Sequence, residues 1–147
     1  KSNDAKKNKY SVFRRRKFFQ GRDIRGLETK DIIWFDVNGQ EMTDEIWNAV
    51  WVKCLGVILA GDTIQETDEY GERIIGDTLL LLMNSSHEDI VFTLPVYHED
   101  MEWELILDTF DSRAEAVTLT GLNGYNLRSR SLSVFTLIQK PVKNGEK

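Results

Sequence analysis

The side chains of this 147-residue chain that could do chemistry are mainly carboxylates, and they gather in two places. Asp62, Glu66, Asp68, Glu69, Glu72 and Asp77 form the first group; Glu99, Asp100, Glu102, Glu104 and Asp108 form the second. Acid–base work by a carboxyl pair requires one member to stay ionised while burial or a like charge keeps the other protonated. The first group shares its segment with Gly71 and Gly76 and reads as a solvated loop, where nothing raises an acid's pKa. The second alternates with Trp103, Leu105 and Leu107, so it reads as the outer face of a strand and the turn before it. Neither has the fixed ligand spacing of a calcium loop. His87, His98 and Cys54 are too scattered for a zinc site, and Cys54 in an apolar run reads as a small core residue. The glycines lie apart, in turns, without a phosphate-cradling loop. No metal and no cofactor are expected.

Two further groups suit binding. Trp34, Trp47, Trp51 and Trp103 raise the possibility of sugar recognition, since a flat ring covers the apolar face of a glucose unit while polar neighbours take its hydroxyls. Trp34, with Asp36 and Asn38 beside it, is the best candidate for an exposed substrate-binding platform. Trp103, inside an alternating strand, is the poorest, and core is the commoner fate of all four. Arg14-Arg15-Arg16-Lys17 followed by Phe18-Phe19 has the composition of a strip for single-stranded nucleic acid. Residues 1–30 carry 11 Lys and Arg against 3 Asp and Glu, whereas residues 31–147 carry 8 against 21. The acidic remainder would repel a polyanion, so no nucleic-acid partner is expected. Phe13, Arg14, Arg15, Arg16, Phe18 and Phe19 read instead as an interface, the rings packing and the arginines pairing with carboxylates of a neighbouring domain.

The elements that must hold these groups follow from periodicity. Lys1 to Lys9 is polar, lysine-rich and aperiodic, which predicts a loop or disorder. Ile32 to Val37 is a short extended element, and Asn38-Gly39 behind it is a tight-turn dipeptide. Thr43 and Asp44 offer a helix N-cap, and Ile46, Trp47, Val50 and Trp51 fall on one helical stripe, predicting one or two turns from Asp44 to about Val50 with the tryptophans inward. Beyond Trp51 the period becomes twofold. Strands are predicted at 52–60, 78–84, 90–94, 102–108, 117–119, 125–127 and 131–138, the second apolar enough to be covered on both faces and the third stopped by Pro95. Trp103, Leu105 and Leu107 should share a face. Several short strands with almost no helix predict an all-β fold, an antiparallel β-sandwich preceded by an irregular segment with a short helix. The expected division is 1–51 as a connector, 52–141 as the sandwich and 142–147 as a tail. With 41% hydrophobic residues one domain can bury a real core. No apolar run approaches the roughly 20 residues a bilayer demands, so no membrane partner is expected. A lone cysteine and the lack of a cleavable apolar leader predict a cytoplasmic location.

The order of features is more informative than any single one. Val12-Phe13-Arg14-Arg15-Arg16-Lys17-Phe18-Phe19-Gln20-Gly21, Trp34, Glu41-Met42-Thr43-Asp44, Leu55-Gly56-Val57 with Gly61-Asp62, Phe92-Thr93-Leu94-Pro95, Trp103-Glu104, Leu107-Asp108-Thr109 and Arg130-Ser131-Leu132 together resemble, in register, the C-terminal region of bacterial glycogen debranching enzymes. These are the isoamylase-type branch of the α-amylase superfamily of glycoside hydrolases. The resemblance covers about Val12 to Ile138. It implies that 1–51 holds the end of a catalytic α/β barrel and that the rest is an accessory β-domain, with the upstream barrel of the same chain and branched α-glucan as partners. The parent would hydrolyse α-1,6 branch linkages. Retaining glycosidases place two carboxyl groups about 5 Å apart across the scissile bond. The family's motifs for these are not found in this sequence, so the resemblance assigns no catalytic residue here and implies a fragment inactive alone. The alternatives from other classes are an autonomous carbohydrate-binding module and a nucleic-acid or protein interaction domain using the basic arm.

Overall fold

The computed structural model describes residues 30–61, 69–72 and 76–141. The strip from Val12 to Gly21, with the six proposed interface residues, and half of the first acidic group, Asp62, Glu66 and Asp68, lie outside them; of the other half, Glu69 and Glu72 are exposed and Asp77 is partly exposed. Among the described residues there are eight strands: β1 (Ile32–Phe35), β2 (Cys54–Leu59), β3 (Leu79–Asn84), β4 (Ile90–Thr93), β5 (Met101–Asp108), β6 (Thr118–Leu119), β7 (Gly124–Leu127) and β8 (Ser131–Gln139). One helical turn, α1 (Asp44–Trp47), accompanies them. The protein is an all-β antiparallel sandwich. A six-stranded sheet in the order β1-β2-β3-β8-β5-β6 faces a two-stranded sheet of β4 and β7, and every pairing is antiparallel.

Leucine-rich β3 sits inside the large sheet; Leu79, Leu80 and Leu82 are fully buried, while Leu81 and Met83 on the outer face are partly exposed, so the covering its continuous apolar run predicts is complete only toward the small sheet. Leu80 and Leu82 turn to the small sheet, joining Ile58, Trp103, Leu105 and Phe135 beneath Phe92, Leu94 and Leu127. Leu79, Val57 and Leu59 form a second cluster on the opposite face, with Ile32, Trp34, Leu81 and Met83 around it. Gly56 makes the first cluster possible. A Cβ there would stand 2.9 Å from the Phe92 ring and 3.1 Å from Leu82, so the absent side chain is the space the ring fills.

Three expectations change. The sheet begins at Ile32, because β1 pairs with β2 from Ile32 opposite Leu59 to Phe35 opposite Gly56, so the β unit reaches well before residue 52. Leu107 leaves the face shared by Trp103 and Leu105: the β5–β8 register shifts between Leu105 and Leu107, and Leu107 is exposed. An extra residue in one strand reverses which side chains point inward beyond it. Finally, α1 ends at Trp47 rather than near Val50. Asn48 caps it, its amide donating to the Asp44 carbonyl at 2.7 Å, a bond that competes with helix continuation. No helix among the described residues is long and apolar enough to cross a membrane.

Candidate functional site

The concavity that gathers the predicted polar residues is a groove of about 630 Å³ between the α1 segment and the edge where β2 and β4 approach. Its walls start from the β1 turn. Asp36 Oδ1 accepts from Asn38 N at 2.9 Å and Gln40 N at 3.1 Å, while Gly39, at φ +73°, donates its N–H to the Asp36 carbonyl. Aspartate closing its own turn over a left-handed glycine is the local chemistry this sequence favours. Thr93 N then donates to the Val37 carbonyl at 2.8 Å, which fixes the turn to the end of β4.

The other wall is the α1 segment. Thr43 caps it, its Oγ1 accepting from Ile46 N at 3.4 Å, and Asp44 and Glu45 in the first turn complement the helix dipole. Downstream, Ala49 N donates to Ile46 O and Val52 N to Ala49 O, so the chain folds through tight turns after the helix ends. This sets the tryptophans. Trp47 packs edge-on against Trp34, ring centroids 5.3 Å apart, and remains 47% exposed, whereas Trp51 stands 72% exposed beside Val50. The expected inward orientation fails for Trp51, which lies past the end of the helix, and holds only in part for Trp47, the last helical residue, whose ring packs on Trp34.

Asp36 and Asn38 therefore line the groove with Trp51, while Trp34 lies away from it, half-buried at the second apolar cluster. The sequence grouped Trp34 with its chain neighbours; the fold groups Trp51 with them. Asn48, a poor helix former that often ends helices, was the signal that would have detached Trp51 from the stripe. Trp103 is core, 1% exposed, with Nε1 donating to the Pro95 carbonyl at 2.8 Å.

Below the groove the chemistry is structural. Cys54 is buried and its thiol donates to Asn84 Oδ1 at 3.0 Å; burial pushes the thiol above its ordinary value. Asn84 Nδ2 donates to the Glu88 carbonyl at 2.8 Å and the Arg128 carbonyl at 3.1 Å, and Ser86 N donates to its Oδ1. Tyr125, whose hydroxyl donates to Asp108 Oδ2 at 3.0 Å and lies 3.1 Å from Ser133 Oγ, is also pushed up, chiefly by desolvation. Asp108 is thus a turn-and-strand fastener, accepting from Phe110 N as well. Glu99 and Asp100 are exposed, and Glu102 and Glu104 are partly exposed on β5. His87 and His98 are both on the surface, and among the described residues no three His, Cys, Asp or Glu side chains come together as a metal site.

A match to the family described as "Isoamylase, C-terminal" runs over residues 31–136, from just before β1 into β8. Proteins named "Glycogen operon protein GlgX homolog" from Mycobacterium bovis and from two strains of Mycobacterium tuberculosis are each 38% identical over 136 residues. The aligned region is 91% of this chain and 19% of each relative, so the chain spans about a fifth of their length. With β1 to β7, most of β8 and the whole buried core falling inside the matched span, the chain belongs to the isoamylase C-terminal domain family.

Proposed function

We propose that this chain is the C-terminal accessory domain of a glycogen debranching glycoside hydrolase, acting in the cytoplasm on α-1,6 branch linkages, and that it is inactive when separated from its catalytic domain. The observation that carries the reading is the family match across nearly the whole sandwich, joined to relatives about five times longer. A domain of this kind serves the enzyme by covering one side of the catalytic barrel. The strip with Phe13, Arg14, Arg15, Arg16, Phe18 and Phe19 is the proposed contact, where arginine–carboxylate pairs would fix the mutual orientation more than they add stability.

The described acids support a non-catalytic role through their places. Asp36 and Asp108 hold turns, Asp89 pairs with Arg128 at 3.3 Å and accepts from Ser129 N, and Glu41 pairs with Lys30. The test compares three proteins on glycogen limit dextrin: the full-length enzyme, the enzyme truncated before Lys30, and this chain alone. Full-length enzyme should release linear chains, the truncated form should lose most activity through instability, and the isolated chain should release none. Measurable release by the isolated chain, or undiminished activity and melting temperature in the truncated enzyme, would count against the proposal.

A further inference from the structure

We propose that the groove beside Trp51 is a secondary binding site for a linear α-1,4-glucan segment, with the Trp51 ring as its stacking platform; this rests on the reading of the parent as a glucan-acting enzyme. Exposure is the first ground. Trp51 is 72% and Val50 98% exposed, yet the backbone on both sides is held by the Ala49 to Ile46 and Val52 to Ala49 hydrogen bonds. The ring is presented by an ordered segment.

The polarity of the groove chooses the ligand. Its surface is mainly apolar, and its polar rim mixes acceptors with donors: Asp36 and Glu88 against Asn38 and Lys53. Charges of both signs at one rim suit a neutral ligand better than a polyanion or an anionic membrane. A glucose ring matches this pattern, because its C–H face seeks an aromatic plane and its rim of hydroxyls both donates and accepts. The volume, about 630 Å³, lies within the range of small-ligand clefts. Trp34, which the chain places next to Asp36, is turned to the second apolar cluster and takes no part.

The test uses the full-length enzyme labelled with 5-fluorotryptophan, the Trp51 resonance being assigned by Trp51→Phe. Maltoheptaose should move the Trp51 signal saturably. Trp51→Ala should weaken retention on immobilised glycogen by roughly threefold to tenfold, the range expected for one lost stacking contact, and Trp51→Tyr should restore most of it. Because the ring is exposed, unchanged melting of both variants checks that they fold. A Trp51 signal unmoved by maltoheptaose would overturn the inference. So would a signal already shielded from a soluble paramagnetic quencher in the ligand-free enzyme, since the catalytic domain would then occupy the groove. Debranching with a silent Trp51 defeats the groove alone; a responsive Trp51 in a protein that never cleaves glycogen defeats the enzymatic reading and leaves the groove standing.

Discussion

Tyr125 shows how one hydroxyl joins local chemistry to stability. It lies between the sheets with its ring edge-on to Phe135, centroids 5.0 Å apart, and its hydroxyl bridges Asp108 and Ser133. Burial favours the neutral phenol, and so does the nearby Asp108 carboxylate. The folded protein therefore holds this proton more tightly than the unfolded chain does. The same holds for Cys54. Stability from both groups is fully present below their unfolded values, near 9.0 and 10.0, and declines as pH rises past them toward the higher folded values. Urea midpoints should be level from pH 7 to 8 and fall between pH 9 and 11. Tyr125→Phe should lose about 1 kcal/mol at neutral pH, the worth of a hydrogen bond, yet show a shallower alkaline decline; a slope as steep as that of the unaltered protein would rule out Tyr125 as a source.

At the scale of elements, β2 and β4 are coupled by a side chain that is missing. Gly56 lies in the middle of β2, opposite Phe35 on one side and Leu82 on the other, and the Phe92 ring of β4 occupies the space above it. Gly56→Ala should cost about 1–3 kcal/mol, as overpacking of a filled core does, read as a lower denaturation midpoint with an unchanged slope. Truncating the ring as well, in Gly56→Ala with Phe92→Leu, should cost less than the two changes summed, because the second relieves the first. Strict additivity would mean that the glycine serves some other purpose. Twofold periodicity predicts both strands but not this contact. Periodicity assigns a residue to a face without saying which ring of the facing sheet will stand on it.

For the molecule as a whole, the joint between the sheets converges on Asn84. At the end of β3, it reaches Cys54 on β2, the Glu88 carbonyl before β4 and the Arg128 carbonyl after β7. Asn84→Ala should cost about 2–3 kcal/mol by leaving buried carbonyls and a thiol without partners, and amide exchange should speed up in β4 and β7 together. Faster exchange confined to β3 would mean that the sheets are joined elsewhere. The amino-acid order alone determined the strand segments, the Asn38-Gly39 turn and the Thr43 cap, since each depends on neighbours within a few residues, and the number and alternation of those strands pointed to the sandwich class and to a buried Trp103. Through an ordered series of short motifs it also pointed to the family. Only the tertiary structure decided that β1 belongs to the large sheet, that a bulge turns Leu107 outward, and that Trp51 rather than Trp34 faces Asp36 and Asn38. Those outcomes depend on hydrogen bonds and packing between segments distant in the chain, where a single cap or one inserted residue rotates every later side chain away from the face its spacing would assign.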